Sequence, residues 1–228
     1  MSIELTWLGH GGWSIKTSSH TVLLDPFVTH CPTATCKANE LEADFILVSH
    51  GHEDHIADVP AIAKRTGAQV LANFEITQWL TRVHSIENVL PMNTGGTVEI
   101  APGHVKMTNA FHSSSLPDGA YGGSPAGFLC EFEKKHIYFA CDTAFFSDMR
   151  YISRHTIDLA IVPIGDTFTM GPLESLDAIR QIRPHKVAPA HYNTWPPIQQ
   201  DAHLWARMVL EETTSQPIVI PPGGKIVL

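Results

Sequence analysis

Two β-sheets packed face to face, with helices outside them, form the α/β architecture that this sequence predicts. Three observations lead there. Short apolar strands alternate with helical stretches along the whole chain, and no linker is long enough to divide it. Residues 13–25 read strand, polar turn containing His20, apolar strand, Asp, and residues 127–142 repeat that order around His136. A loop of polar chemistry, Ser49-His50-Gly51-His52-Glu53-Asp54-His55, directly follows the apolar run Phe45-Ile46-Leu47-Val48, as expected where a strand delivers side chains to a sheet rim.

The elements follow in order. Apolar residues over 3–7, 13–17 and 21–24 give an antiparallel meander, turned by Gly9-His10-Gly11-Gly12 and Ser18-Ser19-His20. The uninterrupted apolar run at 45–48 reads as a buried strand. A helix is expected from near Ala57 over 59–65, then a strand at 69–71, a helix over 75–83, and strands at 98–100 and 104–108. In the second half, 127–133 and 136–140 form a hairpin turned at Lys134-Lys135, and 158–162 is an apolar strand. A helix at 173–182, a strand at 186–189, a long helix within 199–212 and a closing strand complete the chain.

At 228 residues and 43 % hydrophobic content, the chain can bury a full core as one domain spanning 1–228. A pI near 5.9 and a formal charge of −8 argue against a nucleic-acid surface, which needs clustered Lys and Arg. No apolar run approaches membrane-spanning length, and the N-terminal residues are expected to open a strand rather than a signal peptide. Cys31, Cys36, Cys130 and Cys141 make no disulfide framework, which points to a reducing, cytoplasmic setting. Cys31-Pro-Thr-Ala-Thr-Cys36 fits no common zinc template and reads as two loop thiols.

The loop at 49–55 concentrates three imidazoles and a carboxylate in six positions. With 14 histidines in the chain, His-X-His-X-Asp-His arises by accident in roughly 0.2 % of shuffled sequences. His50 and His52 lie two apart, so in an extended segment they point the same way and can share one ion. Asp54 and His55 follow where the chain turns into a helix, which aims them at a neighbouring position. Imidazoles with one hard carboxylate suit zinc, iron or manganese, and each such ion takes three or more protein ligands. Four ligands in one loop are too few for two ions, so about three more must come from elsewhere. His112, Asp142 and His191 supply that number and type, although each taken singly reads equally well as a cap or turn residue.

The order His50-X-His52-X-Asp54-His55, His112, Asp142, His191 resembles the metallo-β-lactamase superfamily. Trp7-Leu8-Gly9-His10, Leu24-Asp25-Pro26, the stretch 163–172 and His191-Tyr192-Asn193-Thr194 are similar to its small metal-dependent hydrolase branch, related to ascorbate-6-phosphate lactonase and N-acyl-phosphatidylethanolamine phospholipase D. The likeness runs from Leu5 to the C-terminus. It implies a four-layer αββα sandwich of two mixed sheets with helices outside, and two divalent ions, zinc foremost, with manganese or iron as alternatives. It implies that His50, His52 and His112 hold one ion, that Asp54, His55 and His191 hold the other, and that Asp142 bridges them. It also implies that Asp25 orients a ligand imidazole and that His10 lies near the pocket rim. Relatives usually carry Gly where this chain has Cys141.

An ion pair of this kind lowers the pKa of a shared water toward 7 and yields a bridging hydroxide. The expected activity is therefore hydrolysis of an ester-type bond (lactone, phosphodiester or related) in a small substrate, with Asp54 as the catalytic carboxylate that orients the nucleophile. Tyr192 and Asn193, beside a ligand, are candidates for polarising the substrate. Specificity is expected from loops 28–41, 113–124 and 165–172, the middle one being either a lid or a disordered turn. Four other readings fit the sequence less well. A secreted β-lactamase lacks support because Asp142 stands where such enzymes carry Cys. A nuclease or phosphodiesterase of the same fold would want a basic arm. A di-iron redox centre usually has Glu in place of His52, and a non-catalytic scaffold needs no open ligand position. Self-association is left open.

Overall fold

The structure, a computed structural model, describes residues 2–228. Strands β1 (Glu4–Gly9), β2 (Gly12–Lys16) and β3 (Thr21–Leu24) form the expected meander, and β4 (Phe45–Leu47), β5 (Gln69–Asn73) and β6 (Val89–Met92) extend it in parallel. In the second sheet β7 (Thr97–Ile100), β8 (Gly103–Asn109), β9 (Ala126–Phe132) and β10 (Lys135–Phe139) run antiparallel. There β11 (Leu159–Pro163), β12 (Lys186–Ala190) and β13 (Gln216–Pro217) continue in parallel. The C-terminal β14 (Lys225–Val227) returns to pair antiparallel with β1. The sheet orders are β14-β1-β2-β3-β4-β5-β6 and β13-β12-β11-β10-β9-β8-β7, so both follow one plan. The faint duplication in the sequence is the β2–β3 and β9–β10 hairpins, each of which hands over to a parallel strand.

Period-two alternation sorts the strand side chains between two cores. In β3, Val22 and Leu24 face the core between the sheets, while Leu23 faces the helix layer with Ile46 and Val48. That outer layer is filled by Val59 and Ile62 of α2 (Val59–Thr66) and by Ile76, Trp79 and Leu80 of α3 (Phe74–His84). On the far side Leu176 and Ile179 of α4 (Pro172–Ile182), with Trp205 and Val209 of α5 (Ala202–Glu212), extend the larger core. Trp205 Nε1 donates to Ser175 Oγ at 2.8 Å and pins α5 to α4.

Three local expectations change. The β9–β10 turn falls at Glu133 and Lys134, both left-handed (φ 48° and 66°), one residue earlier than expected. Strand β6 is not announced by the sequence, because it is an edge strand carrying Pro91. Loop 113–124 is neither an open lid nor a disordered turn. Leu116 is buried in the helix-side core, Ser114 Oγ donates to Gly122 O, and Trp79 Nε1 donates to Asp118 Oδ2 at 2.7 Å. Among the described residues no helix is long and apolar enough to cross a membrane.

Candidate metal centre

The polar residues of interest lie at one edge of the paired sheets. Asp25 follows β3, His50 follows β4, His112 lies beyond β8, Asp142 beyond β10 and His191 after β12. Backbone bonds from Ala126 N to Ser49 O (3.0 Å) and from His191 N to His10 O (3.1 Å) stitch the two sheets together there. The extended His50-Gly51-His52 segment runs into a single helical turn, α1 (Glu53–Ile56), which swings Asp54 and His55 inward.

Asp142 sits at the focus. Its Oδ2 lies 3.0 Å from His191 Nε2, 3.4 Å from His55 Nε2, 3.6 Å from His112 Nε2 and 4.0 Å from His50 Nε2. Donor atoms of His50, His52 and His112 all fall within 4.8 Å of one another, and so do those of His10, Asp54, His55 and His191. The seven ligand candidates therefore converge from four segments, with Asp142 between two groups.

Hydrogen bonds outside the cluster decide which nitrogen each ring turns inward. His55 Nδ1 donates to Asp25 Oδ2 at 2.9 Å, which leaves Nε2 buried and without a hydrogen-bond partner. Ser49 Oγ donates to Asp25 Oδ2 and lies 2.9 Å from His50 Nδ1, so Nδ1 donates to it and Nε2 presents a lone pair. One buried carboxylate thus orients two imidazoles, directly and through a serine. Ser49 was not singled out in the sequence; its place between the strand and His50 is the only signal it gave.

His10 departs from the expectation of a rim position. It is fully buried, with Nε2 2.9 Å from Asp54 Oδ2 and Nδ1 2.8 Å from Thr194 Oγ1. Thr194 donating to Nδ1 sets the tautomer in which Nε2–H donates to Asp54. Burial and the neighbouring His191 lower the His10 pKa to about 4, so the ring is neutral. Tyr192 and Asn193 do not join the cluster. Tyr192 is buried against Trp7 with ring centroids 5.3 Å apart, and burial pushes its hydroxyl up to about 12. Asn193 has φ 58° and accepts from Gln200 N at 2.8 Å, a turn residue.

The electrostatics fit cations. Burial drives His50 well below the usual imidazole range, and its Nε2 lies 3.0 Å from His52 Nδ1, within hydrogen-bond reach. Burial disfavours charge on His55 as well, but Asp142 and Asp25 beside it hold its pKa well above normal. Asp142 is fully buried, which alone would raise its pKa, and His191 and His55 instead hold it well below the carboxylate range. Converging imidazoles around a buried carboxylate, with the buried His55 Nε2 left unpaired, form a donor set that divalent ions satisfy.

Comparison with known proteins agrees with this geometry. The model of the Beta-lactamase superfamily domain matches residues 20–192. A UPF0173 metal-dependent hydrolase of Thermus thermophilus is 45 % identical over 210 residues, covering 92 % of each chain. The chain belongs to the metallo-β-lactamase superfamily. Within it, the UPF0173 metal-dependent hydrolases include a Shouchella clausii protein 46 % identical over 209 residues, covering 89 % of this chain and 91 % of that one. Among solved structures, Igni18, a metallo hydrolase from Ignicoccus hospitalis, superposes with a TM-score of 0.91 at 30 % identity, covering 100 % of this chain and 99 % of that one. The αββα architecture is that of the superfamily, and the protein is a metal-dependent hydrolase.

Proposed function

We propose that this UPF0173 hydrolase binds two divalent cations, zinc being the best match to the donors, and cleaves an ester-type bond in a small substrate. His50, His52 and His112 would hold one cation, Asp54, His55 and His191 the other, with Asp142 shared. The observation that carries this reading is the single Asp142 oxygen within 4.0 Å of four imidazole Nε2 atoms. Divalent cations there supply a Lewis acid that polarises the scissile group and lowers the pKa of water toward neutrality.

The chain's own residues do the rest. Asp25 and Ser49 hold the rings of His55 and His50 with Nε2 inward; His50 is neutral there, whereas His55, which Asp142 and Asp25 favour in its protonated form, would release its Nε2 proton as a cation binds. His10 ties Asp54 Oδ2, which leaves Oδ1 to accept a hydrogen bond from the attacking nucleophile and orient it. Asp54 is 27 % exposed at its side chain while Asp142 is 4 % exposed, so substrate approaches from the Asp54 side. His52 in place of a carboxylate favours zinc hydrolysis over di-iron redox chemistry.

Asp142→Ala and His191→Ala should each lower metal content below that of the wild type and abolish turnover, with circular dichroism unchanged. Metal analysis on protein purified without added metal should find two ions per chain. Full activity in both variants would refute the assignment.

A further inference from the structure

The residues around the mouth carry information that the cluster itself does not. Thr143, next after Asp142, joins three loops: its Oγ1 accepts from Phe111 N at 2.9 Å and its carbonyl accepts from Met170 N at 2.9 Å. Thr167 Oγ1 in turn donates to Pro197 O at 3.0 Å, which ties the 166–170 loop to the turn holding Trp195. These loops place Phe111 and Phe168 in water, 61 % and 57 % exposed. Phe146 packs on Phe111 with centroids 5.1 Å apart, and Trp195 lies edge-on to His10 at 4.7 Å. Aromatic side chains thus stand beside His112 and beside His10, and the loop carrying Phe168 is tied to both of the segments that hold them. Singly exposed apolar side chains are ordinary, but a linked set bordering a reactive cluster marks a ligand surface.

The same loops lack positive charge. Segments 9–12, 25–36, 49–56, 109–125, 140–149, 163–172 and 190–200 contain no Lys or Arg, whereas Glu53 and Asp166 are exposed among them. With a formal charge of −8 on the whole chain, nothing beyond the cations themselves would attract or pair an anionic appendage.

We infer that the substrate carries an apolar, non-anionic group beside its scissile bond, and that Phe111, Phe168 and Trp195 receive it. This rests on the hydrolase reading above and narrows it: a free phosphate or carboxylate elsewhere on the substrate is disfavoured, whatever bond is cut.

The test uses three p-nitrophenyl esters with the zinc-loaded full chain: acetate, hexanoate, and the adipate half-ester, which matches hexanoate in length but ends in a carboxylate. Four added methylenes on a half-open surface should raise kcat/KM for hexanoate about tenfold over acetate, and the half-ester should lose that gain. Phe111→Ala/Phe168→Ala should narrow the hexanoate-to-acetate ratio at least threefold, mainly through KM. In parallel, calorimetric titration with hexanoate and acetate ions reads the same apolar preference without turnover, and hexanoate should bind more tightly in the wild type only.

Equal rates for half-ester and hexanoate, or a double variant that keeps both the wild-type hexanoate-to-acetate ratio and the tighter hexanoate binding, overturn the inference. So does a wild-type oligomer that the double substitution dissociates, since the aromatics would then face a second copy. Absence of ester turnover together with the tail-dependent binding would instead count against the ester-type reading alone and leave the apolar rim standing.

Discussion

At the scale of single residues, His10 is the side chain whose role the sequence least revealed. The resemblance implied a place near the pocket rim, yet here it is fully buried and clamps Asp54. The reason is long-range. Thr194 lies 184 positions away in sequence, and only the closure of the two sheets brings its hydroxyl to Nδ1. Partners one step removed from metal ligands typically contribute 10–100-fold in affinity or activity. His10→Gln should therefore weaken binding of the cation we propose at Asp54, His55 and His191 by roughly that factor, with the other proposed cation retained. Competition with a chromogenic chelator, read as one tight and one weakened site, checks this; two unaltered sites would show that the clamp is only structural. Cys141 is the other residue that gains meaning. It has φ 53°, a left-handed conformation that suits glycine, the residue that the resemblance led us to expect there. Burial, with Asp25 and Asp142 nearby, pushes its thiol well up, so little of it is thiolate and it is a poor target for oxidation.

At the scale of elements, legibility followed local pattern. Strand β4 and the motif after it were readable because an apolar run and a two-residue spacing are local facts. The same holds for α3, whose apolar face and Asn73 cap lie within one stretch; Asn73 Oδ1 accepts from Ile76 N at 2.9 Å. Strand β13, two residues long, exists only because β12 offers it a partner. The exclusion of Tyr192 was equally non-local, since its stacking on Trp7 depends on β1 lying beside the β12 end. The close approach of strand ends also sets a sharp constraint at Gly165. A Cβ there would stand 2.2 Å from the carbonyl oxygen of His191, a backbone atom that cannot step aside without moving His191. Gly165→Ala should cost about 2–4 kcal/mol, lowering the melting temperature by roughly 5–15 °C for a chain of this size. It should also reduce metal content through displacement of His191. Thermal unfolding of wild type and variant decides it, and an unchanged melting temperature would mean that the loop relaxes freely.

At the scale of the whole molecule, two like sheets confine a crowd of imidazoles to their common edge, and this makes the metal-free fold sensitive to acid. Unfolded His10 takes a proton near 6.5, whereas folded His10 takes it only near 4, because burial opposes the charge. Between those values the unfolded state binds more protons, so stability falls as pH falls. His50 acts in the same direction through its own burial. His55 acts oppositely: its folded pKa is raised, so its contribution is fully present below 6.5 and is lost only as pH rises through the folded value. Asp142 is held below the carboxylate range, so its contribution persists until pH drops toward the unfolded value, near 3.9. From pH 6.5 to 4.5 the buried neutral rings therefore dominate. Urea unfolding of the chelated protein at pH 6.5, 5.5 and 4.5 should show decreasing stability, by up to about 1.4 kcal/mol per pH unit for each buried ring. His10→Gln should have a shallower slope by about one ring's share. A flat or rising profile in the wild type would mean that His10 and His50 are not held neutral, and the tautomers that turn the ligand nitrogens inward would have to be reassigned.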